Sequence, residues 1–366
     1  MSKAAELAAL IGSGQAQGNK NLAMNGAMTI NQRGTQTGVR NSYGVDRFRS
    51  TGTGAQLFTF SQSTEVPSGQ GFSYSLKLDV TTADTSVAAG DYNMVQHLFE
   101  GQDLQHLKYG TSSAESLTLQ FWVRSSKTGT HIVELKIQDV NYYNAQIYTI
   151  ASANTWQKVT LTFSGYQTTA ITNDNTNGFG INWWLMAGST YSSGTLASNT
   201  WQNTAANRAV GQVNVVDSTD NEFYLTGVQV EIGDVATPFE HEDFGTTLAK
   251  CQRYYVKDGA TYPGGSSAYK FFAAGTCVST TSGRFTYHFP VPMRTSPTLG
   301  QSANNTLSVY SAAGAGAFSA DATINSPNDL STGLTTTLAS GQTTGQGANI
   351  IANNSTAAFL EFIAEL

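Results

Sequence analysis

From Asn21 onward, hydrophobic residues recur at every second position. Phe72, Tyr74, Leu76, Leu78 and Val80 share one parity, while Ser73, Ser75, Lys77 and Asp79 take the other. The same alternation runs through Leu117, Leu119, Phe121 and Val123, then Val133, Leu135 and Ile137, then Val159, Leu161 and Phe163. It returns in Phe179, Ile181, Trp183 and Leu185, and in Val228, Val230 and Ile232. Successive side chains of a strand point to opposite faces, so each segment predicts a half-buried strand. Clusters of turn-forming residues at 125–129, 151–154, 172–178 and 217–221 separate them. Strands so spaced, with no helical pattern between, predict an all-β antiparallel sandwich.

Two segments break the period of two. Near the start, Leu7, Leu10 and Ile11 fall on one helical face, with Ser2 placed to cap the helix and Gly12 to stop it. A helix of about ten residues is marginal alone in water. Its stripe must therefore dock, which makes Leu7, Leu10 and Ile11 an expected anchor, followed by a glycine-rich linker at 12–18. The second break follows Pro238, where Leu248, Cys251 and Tyr254 take helical spacing. Alternation then resumes in Phe285, Tyr287 and Phe289 and closes with Leu360, Phe362, Ala364 and Leu366. The expected organisation is an anchor helix and linker over 1–20, a sandwich over 21–240, a connecting helix over 241–255 and a smaller β domain over 256–366.

Composition narrows the function. Only 12% of residues are charged, against about 25% in ordinary domains, and 36 are glycine. A net charge of −6 with few cations argues against a nucleic-acid binder. No apolar run approaches the roughly 20 residues that span a bilayer, and residues 1–11 do not read as a secretory signal. Cys251 and Cys277 form no metal motif and are expected as free buried thiols rather than a disulfide. His97, His106, His131, His241 and His288 show no metal spacing, and no nucleophile elbow is present. A non-enzyme with no catalytic residue and no cofactor is the expectation. Asp217, Asp220 and Glu222 put several oxygens on one turn, which suits either a structural calcium ion or an Asx-rich turn.

Aromatic residues offer the remaining chemistry. Trp122 and Trp184 have parity opposite to their apolar neighbours, and Tyr191 and Trp201 lie in polar, turn-rich sequence. Such rings give rigid amphipathic faces on which sugars stack. The same four residues also suit packing against a second domain or another subunit. Both readings stand at this level, whereas Trp156 and Trp183 are expected in the core.

Several short motifs occur in a fixed order. Asn21-Leu22 and Asn25-Gly26 precede Gln32-Arg33-Gly34, and Tyr43 precedes Val45-Asp46-Arg47-Phe48. Phe121-Trp122-Val123-Arg124 and the segment from Trp156 to Phe163 follow. Gly227-Val228-Gln229-Val230-Glu231 leads to Thr237-Pro238-Phe239-Glu240, and later come Arg253-Tyr254-Tyr255 and Pro290-Val291-Pro292-Met293-Arg294. In this order the chain resembles a family of bacteriophage virion proteins. The resemblance implies a jelly roll similar to carbohydrate-binding modules, then a small β domain, in a tail-fibre or fibre-like appendage. A head fibre or decoration protein is the alternative it leaves open, and a free carbohydrate-binding or glycan-depolymerising protein is the rival from another class. It further implies residence in the virion, a homotrimer, other virion proteins as partners through the N-terminus, and a host surface glycan as ligand. It brings no catalytic residue.

Overall fold

The computed structural model describes residues 20–261, 268–339 and 341–366. The expected anchor residues Leu7, Leu10 and Ile11 lie outside them. The chain forms two compact units that divide between Thr247 and Leu248. The division falls within the helix Phe244–Gln252, inside the segment expected to connect two domains.

The first unit is an antiparallel β-sandwich with jelly-roll character. One sheet contains β1 (Gln36–Val39), β4 (Leu57–Ser63), β5 (Ser75–Thr82), β12 (Glu222–Ile232), β7 (Leu117–Ser125) and β10 (Gln157–Phe163), in that spatial order. The other contains β2 (Ser42–Tyr43), β3 (Phe48–Thr53), β6 (Tyr92–Glu100), β11 (Asn177–Ala187), β8 (Gly129–Ile137) and β9 (Tyr142–Ile150). The chain passes repeatedly from one sheet to the other, so sequence neighbours face each other across the core. Leu119, Phe121, Val123, Leu225 and Val230 meet Val133, Leu135, Ile181, Trp183 and Leu185 there. Trp183 packs edge-on against Phe121, with ring centres 5.7 Å apart.

Two expectations are corrected. Phe72 and Tyr74 precede β5, which begins at Ser75. Pro67 and the positive-φ glycines Gly69 and Gly71 turn the chain there, and Phe72 packs on Phe239 instead, with ring centres 4.9 Å apart. Trp156 is not in the core. Val159 and Phe163 face inward, so positions 156 and 158 face out, and Trp156 sits half-buried beside Tyr224.

The recurrent motifs turn out to hold the sandwich closed. Asn25 is 3% exposed, and its amide donates to the carbonyls of Ile30 and Asp46 while its Oδ1 accepts from the Ile30 N–H. Asp46 accepts from the Gln32 N–H at 2.9 Å, and the buried Arg47 donates to the Leu98 carbonyl at 2.8 Å. After β12 the chain folds back over its own sheet. Glu231 accepts from the Thr237 N–H at 3.0 Å, Gln229 from the Glu240 N–H at 2.7 Å, and Glu240 from the Asn21 N–H at 2.9 Å. Gly227 is required in this clasp: its φ is +60°, and a Cβ would lie 2.6 Å from the Phe72 ring and 3.0 Å from Trp122.

The second unit contains a closed six-stranded barrel and a three-stranded sheet. The barrel runs β14 (Phe271–Ser279), β15 (Ser282–His288), β19 (Ser331–Leu338), β18 (Gly314–Asn325), β17 (Leu307–Ser311) and β20 (Gly347–Ala352). Closure removes free strand edges, which an isolated small sheet would expose. The small sheet is β13 (Tyr255–Gly259), β21 (Phe359–Ile363) and β16 (Thr298–Gln301). Leu360, Phe362 and Ala364 are buried as their alternation predicts. Cys251 and Cys277 are buried and are not joined in a disulfide.

Two buried histidines make the first unit acid-sensitive. Burial pushes His131 down to about 4, a shift that a bond to the Lys127 carbonyl partly opposes. Burial, reinforced by the Arg47 charge, holds His97 well below its ordinary value. Both are depressed in the folded state, so their contribution is complete above the unfolded value of 6.5. It is lost as pH falls from 6.5 to about 4, where the unfolded chain binds protons that the fold refuses. For His131 alone the loss is on the order of 3 kcal/mol. Chemical denaturation followed at pH 7 and pH 4.5 should show this decline, and His131→Phe should reduce it to the share of His97.

Candidate functional site

The outer face of the second sheet carries an unusual row of polar side chains. Parity sends Val133, Leu135, Ile181 and Trp183 into the core, so Glu134, Asn182 and Trp184 face the other way. The register places Arg49 of β3 opposite Gln96 of β6, Gln96 opposite Asn182 of β11, and Asn182 opposite Glu134 of β8. Directly opposed side chains lie close enough to interact. Here they form a continuous relay. Arg49 Nε donates to Gln96 Oε1 at 2.9 Å, Gln96 Nε2 to Asn182 Oδ1 at 2.7 Å, and Asn182 Nδ2 to Glu134 Oε1 at 2.7 Å. Arg208 closes the row with a two-pronged grip on Glu134, Nε to Oε2 at 2.8 Å and Nη2 to Oε1 at 2.7 Å. Glu134 and Asn182 are fully buried and Gln96 is 5% exposed.

The long connection between β11 and β12 covers one side of this row. It supplies Arg208, whose guanidinium lies 4.0 Å from the Tyr143 ring centre, 5.0 Å from Trp184 and 5.6 Å from Tyr191. Backbone bonds between Tyr143 and Gln202, 2.8 and 3.0 Å, fasten the connection to the edge strand β9. Beneath it lies a small apolar cluster of Met94, Ile132, Ala145, Trp184 and Ala209.

Lys136 stands on the other side of the row, two residues beyond Glu134 on the same face of β8. It is half-buried and makes no ion pair among the described residues; its Nζ lies 5.9 Å from the Tyr143 ring centre. Burial pulls its ammonium below the ordinary lysine value. The charges of Arg208 and Arg49 push the same way and Glu134 opposes them. Tyr143 is raised by burial. The face thus presents cations beside aromatic rings and a preorganised polar row, with the Glu134 carboxylate held by Arg208 and Arg49 also donating to the Leu366 backbone oxygen at 3.4 Å.

The aromatic residues singled out in the sequence are placed differently. Trp184 is fully buried, which agrees with the packing reading of its outward parity and not with an exposed platform. Its parity is outward as expected, yet Tyr191 and Arg208 lie over its ring, Tyr191 at 5.6 Å between centres. Tyr191 also packs edge-on against Tyr92. Trp201 is half-buried: its Nε1 donates to the Ser164 carbonyl at 2.7 Å, and its ring packs on Tyr166 and Tyr109. Trp122 lies on the opposite sheet, beside Gly227 and Phe72. Trp184 and Tyr191 therefore share a site, while Trp201 and Trp122 belong elsewhere.

The carboxylates proposed for calcium do not converge. Asp217 pairs with Lys127 and accepts from Asn221 Nδ2, whereas Glu222 faces Lys77 at 2.6 Å and the Tyr224 hydroxyl at 2.9 Å. Asp220 meets the hydroxyl and follows the turn of Ser218. Among the described residues no group of three or more His, Cys, Asp or Glu side chains is arranged to hold a metal ion. The turn reading of this segment is the one the geometry carries.

Arg49, Gln96, Glu134, Lys136, Tyr143, Asn182 and Arg208 were not singled out by sequence. One signal was present. Glu134 and Asn182 sit at outward positions of strands rich in large apolar residues, where a long amide or carboxylate suggests a covered polar face.

No protein-family model matches the chain, and no curated protein sequence matches it. Solved structures do show similarity. The enzymatically active domain of tailspike protein 4 from bacteriophage CBA120 aligns at 16% identity and a TM-score of 0.33, over 58% of this chain and 21% of that one. The alignment thus spans about a fifth of the tailspike chain. The family 11 carbohydrate-binding module of a cellulosomal cellulase of Clostridium thermocellum aligns at 13% identity and a TM-score of 0.27, over 57% and 98%. A family 4 carbohydrate-binding module aligns at 13% identity and a TM-score of 0.29, over 57% and 97%.

Proposed function

We propose that the chain is a non-enzymatic appendage protein of a bacteriophage particle, and that its first unit binds a host surface glycan on the outer face of the second sheet. The observation that carries the binding reading is the Arg49–Gln96–Asn182–Glu134–Arg208 relay, whose Arg208 end lies 4.0 Å from the Tyr143 ring centre and 5.6 Å from that of Tyr191. The relay is buried and satisfied within the fold, so it fixes the face, and the half-buried Arg49, Lys136, Tyr92 and Tyr191 at its rim are the groups that offer a sugar hydroxyl partners and an apolar ring surface. The ordered motifs support the virion reading, and the low charge supports a protein that lives among copies and neighbours. A tail position suits attachment directly.

Single sites of this kind bind weakly. Presentation as a trimer would raise avidity by roughly 10² to 10⁴. The expected outcome is a solution mass of three chains by light scattering, with millimolar binding to polysaccharide extracted from the host envelope. Immunogold labelling should place the chain on the particle. A particle without the label would overturn the virion reading, and absence of glycan binding by the trimer would overturn the attachment role.

A further inference from the structure

We propose that the first unit holds a calcium ion where Gln56, Asp84 and Asp91 converge around Gly54, and that the ion pins two of the connections between its sheets. This site does not rest on the glycan reading.

The convergence follows from where four strands end. Residues 54–56 join β3 to β4 and residues 83–91 join β5 to β6, so both connections cross from one sheet to the other. Thr53 Oγ1 ties them together by donating to the Gly90 carbonyl at 3.1 Å. Gly54 has a φ of +110°, and a Cβ there would lie 2.6 Å from Asp84 Oδ2, 2.6 Å from Gln56 Oε1 and 3.4 Å from the Asp91 carboxyl carbon. Three acceptor groups therefore gather around one glycine.

Gln56 is the informative member. It is fully buried, and its Nε2 donates to the Thr53 carbonyl at 3.0 Å and the Tyr92 carbonyl at 3.5 Å. Those carbonyls fix the orientation of the amide, because only its NH₂ can face them. Its Oε1 is left beside the Asp84 oxygen with no hydrogen-bond partner. A buried acceptor in that position costs free energy unless a donor or a cation joins the oxygens. Asp84 is 4% exposed and accepts from the Ala55 N–H at 2.9 Å and the Ser86 N–H at 3.1 Å. Asp91 accepts from the Ala88 N–H at 3.0 Å. These bonds aim the carboxylates and leave each with spare acceptor positions, since an ionised carboxylate has about four. Arg40 is the nearby cation. Its Nη1 donates to the Gly54 carbonyl, and it makes no ion pair among the described residues, so neither carboxylate is neutralised by it. A donor set made wholly of oxygen, two of the groups charged, selects a hard divalent cation. Calcium accepts roughly six to eight such oxygens in irregular geometry and takes the remainder from water, whereas magnesium demands a near-ideal octahedron.

The test uses full-length protein stripped with EDTA and titrated by calorimetry with calcium chloride and, separately, magnesium chloride, with melting curves alongside. Calcium is expected to bind about tenfold or more tighter than magnesium. Saturation should raise the melting temperature of the first unit by roughly 5–10 °C. Asp91→Asn keeps an acceptor for the Ala88 N–H at a half-buried position, so its metal-free melting temperature should stay within about 2 °C of the parent. Its calcium affinity should fall by about tenfold or more. Asp84→Asn should weaken calcium further and also lower the metal-free melting temperature, because that carboxylate is buried on two N–H groups. Absence of both calcium heat and a rise in melting temperature in the native protein would overturn the inference. Calcium affinity unchanged by Asp91→Asn, or magnesium bound as tightly as calcium, would overturn it equally.

Discussion

Trp184→Ala should lower the stability of the first unit by about 3–5 kcal/mol, the usual cost of removing a large aromatic from a filled site. At roughly 2–4 °C per kcal/mol for a unit of this size, the melting temperature falls by roughly 6–20 °C. The ring is fully buried, and its surroundings are fixed from both sides. Met94 lies opposite it on β6, and Tyr92, Tyr191 and Arg208 close over it. These partners come from the sheet and from the long connection, so the cavity cannot collapse without moving the connection. Trp201→Ala should cost less, because that ring is half-buried and lies at an edge. Thermal unfolding followed by near-ultraviolet circular dichroism gives both values. A Trp184→Ala protein that melts like the parent yet no longer binds glycan would show that the ring serves the ligand and not the fold.

Much of the sandwich was legible because one face of most strands is plainly apolar. Val133, Leu135 and Ile137, or Leu119, Phe121 and Val123, announce themselves by period alone. Strands β6 and β9 were not announced. Both carry polar residues on inward as well as outward positions, such as His97 on β6 and Asn144 on β9, both fully buried. The parity signal needs one polar and one apolar face, and these strands have two mixed faces. The site was illegible for the same reason. Gln96, Asn182 and Glu134 are far apart in sequence, and what joins them is the strand order β3–β6–β11–β8. That order cannot be read from spacing, since β6 and β11 are separated by four strands of chain. Tryptophans drew attention because they are conspicuous at outward parity. Outward parity predicts solvent only where nothing covers the sheet, and here a connection of more than 30 residues, 188–221, lies over part of it. The motifs behind the resemblance were legible for the opposite reason. Asn25, Asp46 and Gln229 each satisfy backbone groups at a specific turn, so their identities and spacing are fixed by local geometry.

The second large effect is expected at the Glu134–Arg208 pair. Burying an ion pair carries a desolvation penalty for both charges, and removing one partner leaves the other uncompensated. Glu134 is fully buried and the Arg208 side chain is 9% exposed, so little water can reach whichever charge remains. Glu134→Gln should therefore cost about 3–5 kcal/mol. It would also leave Asn182 Nδ2 competing with Arg208 for a single carbonyl oxygen, and so loosen the relay toward Gln96. Arg208→Met should cost a similar amount, and it would release the connection from the sheet face. Combining Glu134→Leu with Arg208→Met restores an apolar fit beside Ile132, Ala145 and Trp184, and should recover a large part of the lost stability. Urea unfolding of Glu134→Leu, Arg208→Met and the double variant measures the coupling directly. Strict additivity would mean that the two side chains do not act as a pair. Recovery of stability without recovery of glycan binding would separate what the pair does for the fold from what the polar row does for the ligand.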